Sequence, residues 1–345
     1  MNLPGNESIM VKANNYVTAD QIASNKWFPI TKVPAILFAK VGAAVLLNRK
    51  RLCGTPFLLD NNTMSYSLDP SIWVTNFAHA LFETLDLTQL VQVGALPSYG
   101  KKDVEAIHIS IPTLPEQEKI GNLFYLLENA IALHQKKLKH FKNLKESLLQ
   151  NMFPREGEIF PRLRFPEFTD AWEQRKLIDE VELFGGLTYS PKDVVPSPGS
   201  IVLRSSNVKG GEISLDDNVY VLKEKATSTP VQLNDIIVVV RNGSRSLIGK
   251  HAIVKAPLNN AVIGAFMTGF RTKQPDFINV LMDTHAFKKA ITENLGATIN
   301  QITGGMLKQM VFFMPASEKE KRAIGNLFRT LDDALALHQR ELPYL

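Results

Sequence analysis

The sequence predicts two mixed α/β (α+β) domains related by an internal pseudo-two-fold repeat and separated by long helices that pair as an antiparallel coiled coil. Three observations carry this. "IGNLFYLLENAIALHQ" at Ile120 to Gln135 returns as "IGNLFRTLDDALALHQ" at Ile324 to Gln339, 204 positions later (324 − 120). The residues ahead of each copy also match: "GALPSYGKKDVEAIHISIP" (Gly94 to Pro112) with "GATINQITGGMLKQMVFFMP" (Gly296 to Pro315), "ILFAKVG" (Ile36 to Gly42) with "IVVVRNG" (Ile237 to Gly243), and "SIMVKANN" (Ser8 to Asn15) with "SIVLRSSN" (Ser200 to Asn207). A period near 200 residues is far longer than the roughly 20 to 50 of a solenoid unit, so the repeated object is a whole domain with its helix. Finally, 345 residues at about 150 per domain leave room for two.

In chain order, residues 1–112 form the first domain and residues 113–153 the central long helix. Pro112 and Pro115 precede it, and Glu116 and Glu118 lie where a helix N-terminus favours negative charge. Apolar residues recur at Ile120, Phe124, Leu127, Ile131, Leu138, Phe141, Leu148 and Met152, a 4-3 spacing that draws one stripe interrupted by His134 and Lys145. About 37 helical residues reach roughly 55 Å, which calls for a partner helix. Residues 154–171, rich in Phe-Pro breaks, read as a linker. Residues 172–315 form the second domain, where β-branched runs such as "DIIVVV" (Asp235 to Val240) and "HAIVKA" alternate with a helical stretch, "INVLMDTHAFKKAITEN". "MVFFMP" reads as a strand stopped by Pro315. Residues 316–345 repeat the helix, with Ile324, Phe328, Leu331 and Leu335 on its seam, and Pro343 predicts an early stop. Placing Ser8 opposite Ser200 puts Met1 opposite Asp193, so the first domain is expected to be incomplete at its start.

A net charge of +5 and a pI near 9.1 permit a polyanionic partner. The single cysteine, Cys53, excludes an intrachain disulfide and, with no Cys/His cluster at ligand spacing, points to a reducing cytoplasm and no metal site. No basic n-region leads an apolar stretch, and no segment approaches the roughly 20 apolar residues of a membrane span. "GSRSLIGKH" departs from a phosphate-binding loop, with five residues between its glycines and histidine after the lysine. No dinucleotide fingerprint, nucleophile elbow or zinc-protease helix occurs, so no catalytic residue is assigned.

"IPTLPEQEKIGNLFYLLENAIALHQKKLKHFKNLKESLLQNMFP", followed by "PRLRFPEFTDAWEQRKL", closely resembles the specificity (S) subunit of type I restriction-modification systems. The resemblance rests on the proline-rich entry Pro112 to Gln117, on Arg164 to Phe168 and on Trp172, and runs through nearly the whole chain. It implies two target recognition domains, each reading one half of a bipartite double-stranded DNA sequence, with the helices setting the spacing and docking two methyltransferase (M) subunits. It also implies a non-catalytic chain, restriction (R) subunits as further partners, and S-adenosylmethionine, ATP and Mg²⁺ held by those partners and not by this chain. Two other readings stay open from the residues: a truncated shuffling variant acting only as a partial DNA-binding or coiled-coil protein, and a stand-alone DNA-modifying enzyme.

Candidate DNA contacts follow from residue type in turns, because Arg and Lys suit phosphates or guanine edges and Asn suits adenine. "VRNGSRSLIGK" offers Arg241, Asn242, Ser244, Arg245 and Lys250; "LRSSNVKGG" offers Arg204, Ser206, Asn207 and Lys209. "GLTYSPK" adds Tyr189 and Lys192, and "INQITGG" adds Asn300, Gln301 and Thr303. In the first domain the candidates are Lys12, Asn14, Asn15, Lys40 and the run Arg49, Lys50, Arg51. Each also reads as an ordinary solvated turn.

Overall fold

The computed structural model describes residues 8–13, 15–92, 96–295 and 300–341. They form two compact units that divide within the central helix, between His134 and Gln135.

The first unit opens with the short helix α1 (Ala19–Ser24), capped by Thr18 and Gln21. Its sheet has β1 (Ala35–Ala39) between β2 (Lys50–Cys53) and β3 (Thr63–Ser67), both antiparallel to it. Then come α2 (Thr75–Thr84), α3 (Lys101–Glu105) and the long α4 (Leu114–Asn151). Because side chains alternate across a strand, Ile36 and Phe38 enter one core with Leu52, Trp73, Phe77, Phe82 and Tyr99, while Ala35, Leu37 and Cys53 face the other side. Ile120 of α4 packs onto the first of these cores. Gln117 fixes the start of α4: its Nε2 donates to the carbonyls of Ile72 and Pro112, and its Oε1 accepts from Val74 N, each at 3.0 Å. The glycine of the repeated "IGNLF" is a contact requirement, since a Cβ on Gly121 would lie 2.6 Å from Phe77 N.

The second unit comprises the rest of α4, then β4 (Glu173–Lys176), α5 (Leu177–Glu180), β5 (Glu182–Gly185), β6 (Val194–Val195), β7 (Ser200–Leu203), β8 (Val208–Lys209), β9 (Glu212–Ile213) and β10 (Val219–Val221). It continues with β11 (Ile236–Val239), β12 (His251–Ile253), β13 (Ala261–Ile263), β14 (Met267–Arg271), α6 (Pro275–Asp283), α7 (His285–Asn294), α8 (Gly304–Gln309), β15 (Val311–Met314) and α9 (Glu318–Glu341). Two four-stranded sheets, ordered β12-β11-β14-β5 and β13-β7-β10-β6, are joined by the pairs β15-β4 and β8-β9. The expected strand at "MVFFMP" is β15, and it pairs with β4.

The repeat survives in three dimensions, with a register correction. The arrangement β2-β1-β3 followed by α2 and α4 recurs as β12-β11-β14 followed by α6 and α9. Gly325 repeats the role of Gly121, its Cβ position lying 2.8 Å from Phe277 N. The sequence match set Ile36 against Ile237. In the fold, Ile36 and Phe38 correspond to Ile236 and Val238, which face the equivalent helix-side core. Bridges agree: Val41 pairs with Ser98 as Arg241 pairs with Gln301. A one-residue slip moves every side chain to the opposite face, so this shift decides which residues are buried. Lys40 thereby corresponds to buried Val240, not to Arg241. The "SIMVKANN" and "SIVLRSSN" segments are also not equivalent. Ile9 bridges in parallel to Leu52, whereas Ser200 to Leu203 form β7 between β10 and β13.

Within the second unit the end of α4 runs antiparallel to α9, as three contacts of opposed order show. Phe141 stacks on His338 at 5.7 Å, Lys145 Nζ lies 2.7 Å from Asp332 Oδ1, and Phe153 meets Phe328 at 6.5 Å. Lys145 also donates to Asp283 at 2.8 Å. Burial pulls its ammonium down, but Asp283 and Asp332 outweigh this and hold it above the usual lysine range. The seam assignment needs correction at the start of α9. Ile324 and Phe328 are buried in the domain core beside Phe277 and Trp172, because Gly325 lets α9 approach α6 closely. Leu331 is buried and Leu335 half-buried. Along α4, Leu127, Ile131, Leu138 and Phe141 are half-buried, whereas Phe124 is exposed. The stop expected at Pro343 lies outside the described residues.

The "RFPEF…W" segment has a physical role. Arg164 grips Glu320 in the first turn of α9 with two hydrogen bonds, Nε to Oε1 at 2.7 Å and Nη2 to Oε2 at 2.8 Å, and Trp172 Nε1 donates to the same carboxylate at 3.2 Å. Next to it, fully buried Lys321 pairs with Glu180 at 2.6 Å and Glu318 at 2.8 Å.

Candidate nucleic-acid interface

Three turns separated in sequence converge at one edge of the second unit. β11 ends at Val239, and the chain leaves the sheet through Val240 to Ser244. Arg241 bridges to Gln301, and Asn242 N donates to Asn300 O at 3.3 Å. Asn300 Nδ2 returns a bond to Gly243 O at 3.1 Å, and Asn242 Nδ2 donates to Ser205 Oγ at 3.1 Å. Asn242 Oδ1 also accepts from Ser244 N at 2.9 Å, the side-chain-to-backbone bond typical of an Asx turn. The segments "RSSN", "VRNGSR" and "INQ" thus form one hydrogen-bonded cluster that holds Arg241, Ser244 and Arg245 exposed.

Sequence reasoning missed Phe266. It stands in the β13–β14 turn with its carbonyl accepting from both Val240 N (3.0 Å) and Arg241 N (3.1 Å). The residue is 53% exposed, and its ring carries the Arg241 guanidinium 4.9 Å from its centroid. A lone phenylalanine after "IGA" gives no sequence signal, because its place is set by backbone hydrogen bonds to a segment 26 positions away (266 − 240).

Residues 6–143 match the family described as the type I restriction modification DNA specificity domain. The "Type I restriction enzyme StySPI specificity subunit" of Salmonella potsdam is 25% identical over 165 residues, 44% of this chain and 34% of that relative. The chain is similar to type I restriction-modification specificity subunits over these segments. The match spans about a third of the length of that relative. A solved type I restriction-modification S subunit from M. genitalium shares 13% identity and a TM-score of 0.63, covering 91% of this chain and 80% of that one, which shows a common fold. No helix among the described residues is long and apolar enough to cross a membrane.

The other candidates separate by environment. Arg204 is half-buried, pairs with Asp217 at 2.9 Å, and its backbone N bonds Asn207 Oδ1. Asn207 is 0% exposed and its amide is spent on the carbonyls of Ser214 and Asp217, so it builds the turn and cannot meet DNA. Ser206 Oγ is buried without a hydrogen-bond partner. Lys209 pairs with Asp216 at 3.1 Å on the surface. Thr303 caps α8 by accepting from Met306 N at 3.2 Å. Tyr189 packs beside Leu187 and Val202, and Lys192 is exposed. Arg245, which reaches Leu295 O at 3.3 Å, and half-buried Lys250 line a different feature, a cavity of about 870 Å³ shared with His251, Lys255 and Lys288.

In the first unit Lys12 and Asn15 are exposed, Lys40 is half-buried, and Asn14 lies outside the described residues. The basic run Arg49 to Arg51 is not one surface. Lys50 is 1% exposed, buried between the sheet and α2, with its Nζ donating to Leu85 O, and burial lowers its pKa against the pull of Glu83 and Asp86. It is therefore removed from the DNA-contacting set, since β2 turns Lys50 inward while Arg49, just ahead of the strand, is exposed. Arg51 is half-buried and bonds Lys50 O at 2.6 Å.

Proposed function

We propose that this chain is the DNA sequence-recognition subunit of a type I restriction-modification complex. Each unit reads one half of a bipartite duplex target, and the repeated helices set the spacing and dock two methyltransferase subunits. The observation that carries this reading is the recurrence of the same three-stranded sheet and helix in both units of a chain whose residues 6–143 match the type I DNA specificity domain. Reading two short sequences at a fixed separation requires two similar readers. In the second unit the reader is supported by the convergence of Arg241, Asn242, Asn300, Gln301 and Phe266, which joins phosphate-binding and base-edge chemistry. Methyl transfer and cleavage belong to the methyltransferase and restriction subunits, which supply S-adenosylmethionine, ATP and Mg²⁺, and the whole acts in the cytoplasm.

The test is reconstitution. The chain alone leaves DNA unmodified, and the chain with its cognate methyltransferase subunits methylates adenines in one bipartite motif. Methyl transfer by the chain alone, or methylation without a bipartite motif, would overturn the assignment.

A further inference from the structure

Resting on that reading, we infer that Phe266 is the base-reading tip of the second unit, packing its ring edge against the C5 methyl group of one thymine in the major groove while holding Arg241 over the neighbouring base pair. The argument begins with placement. A single half-exposed apolar residue is ordinary on a domain surface, but this one is pinned by two backbone hydrogen bonds to its carbonyl, from Val240 and Arg241, and carries a guanidinium on its ring. The tip is thus held by rigid sheet ends, as a discriminating contact requires.

Its surroundings fit a DNA groove. The ring carries the Arg241 guanidinium at 4.9 Å, and the backbone of Arg241 and Asn242 ties this tip to Gln301 and Asn300. A thymine methyl is the apolar feature that the major groove offers to such a ring, and guanine O6 and N7 are what it offers to an arginine. The ring restricts the guanidinium to one side, so Arg241 reaches the groove with less freedom to lose.

The repeat supplies an independent observation. In the first unit Lys40 N donates to Asn62 O, as Val240 N donates to Phe266 O. Asn62 is the exposed residue at the matching turn, and asparagine suits adenine. One backbone position therefore presents an amide in one reader and an aromatic ring in the other. That is the pattern expected where the scaffold is shared and the bases read are different.

The experiment uses the full chain with its methyltransferase subunits and duplexes carrying the methylated motif, in which each thymine of the second half-site is replaced in turn by deoxyuridine. One replacement weakens binding of the unsubstituted chain about fourfold, the value of one buried methyl-sized group. Phe266→Ala abolishes that penalty, and Phe266→Leu, which keeps an apolar side chain, retains part of it. A deoxyuridine penalty unchanged in Phe266→Ala, or absent at every thymine for the unsubstituted chain, overturns the assignment of Phe266 while leaving sequence-specific binding intact. Bright emission from 2-aminopurine next to the site would replace the methyl contact by a wedge that unstacks bases, and so also overturns it. Loss of all sequence preference in the unsubstituted complex would instead bring down the recognition reading itself.

Discussion

Replacing Arg164 by methionine should cost the second unit about 3 to 5 kcal/mol, because it strands a carboxylate that the fold has already taken out of water. Glu320 is 1% exposed and Arg164 13% exposed at its side chain, so solvent screens the pair little. Arg164 supplies two of the three hydrogen bonds to that carboxylate, and Trp172 supplies the third. With Arg164 gone, Trp172 alone cannot offset the desolvation of the charge. The reciprocal change, Glu320→Leu, strands a guanidinium with an exit toward solvent and frees the indole N–H, and should cost somewhat less. Combining the two removes both charges, and apolar replacement of a buried pair is often neutral, so the double variant should recover most of the loss. The assay is urea denaturation followed by Trp172 emission in a background where Trp27 and Trp73 are phenylalanine, which makes the signal specific to the second unit. Single-variant losses below about 1 kcal/mol, or strictly additive losses in the double variant, would refute the claim that this clasp holds α9 to the domain.

Two further outcomes follow from the same packing. Gly325→Ala gains up to about 1 kcal/mol of helix propensity but drives a methyl group to within 2.8 Å of Asp276 Cβ and Phe277 N; overpacking of roughly 1 to 3 kcal/mol should win, and a raised urea midpoint would contradict this. Burial pushes the Tyr99 phenol up to about 12 while its hydroxyl donates to Ala39 O. The folded state then holds this proton more tightly than the unfolded chain, so its contribution to the first unit is complete below the ordinary tyrosine pKa near 10 and is lost as pH rises toward 12. Tryptophan-monitored denaturation at about pH 9 and 11 in a Trp172→Phe background, which leaves the signal to the first unit, should show a steeper alkaline loss with Tyr99 present than with Tyr99→Phe, and equal slopes would remove Tyr99 as the cause.

Much of the architecture was legible in the sequence, because a duplicated helix keeps its apolar spacing and its glycine wherever the same neighbour must be met. The same holds for "RFPEF…W", whose arginine and tryptophan share one buried carboxylate. Less of the interface was legible. Turn composition picked out Arg241, Asn242 and Asn300, which do meet, but it could not separate exposed Arg49 from buried Lys50, since the two differ by where the strand begins and which way it turns its first side chain and not by chemistry.

The sequence by itself determined that this is a repeated, helix-linked, two-unit protein that resembles type I specificity subunits, because periodicity and motif spacing are local and survive without coordinates. Only the tertiary structure decided the strand register, the burial of Ile324 and Phe328 in the domain core, and the meeting of three distant turns at Asn242 with Phe266 beside Arg241. Those depend on hydrogen bonds and close approaches between segments far apart in the chain. No window along the sequence contains both partners of such a contact.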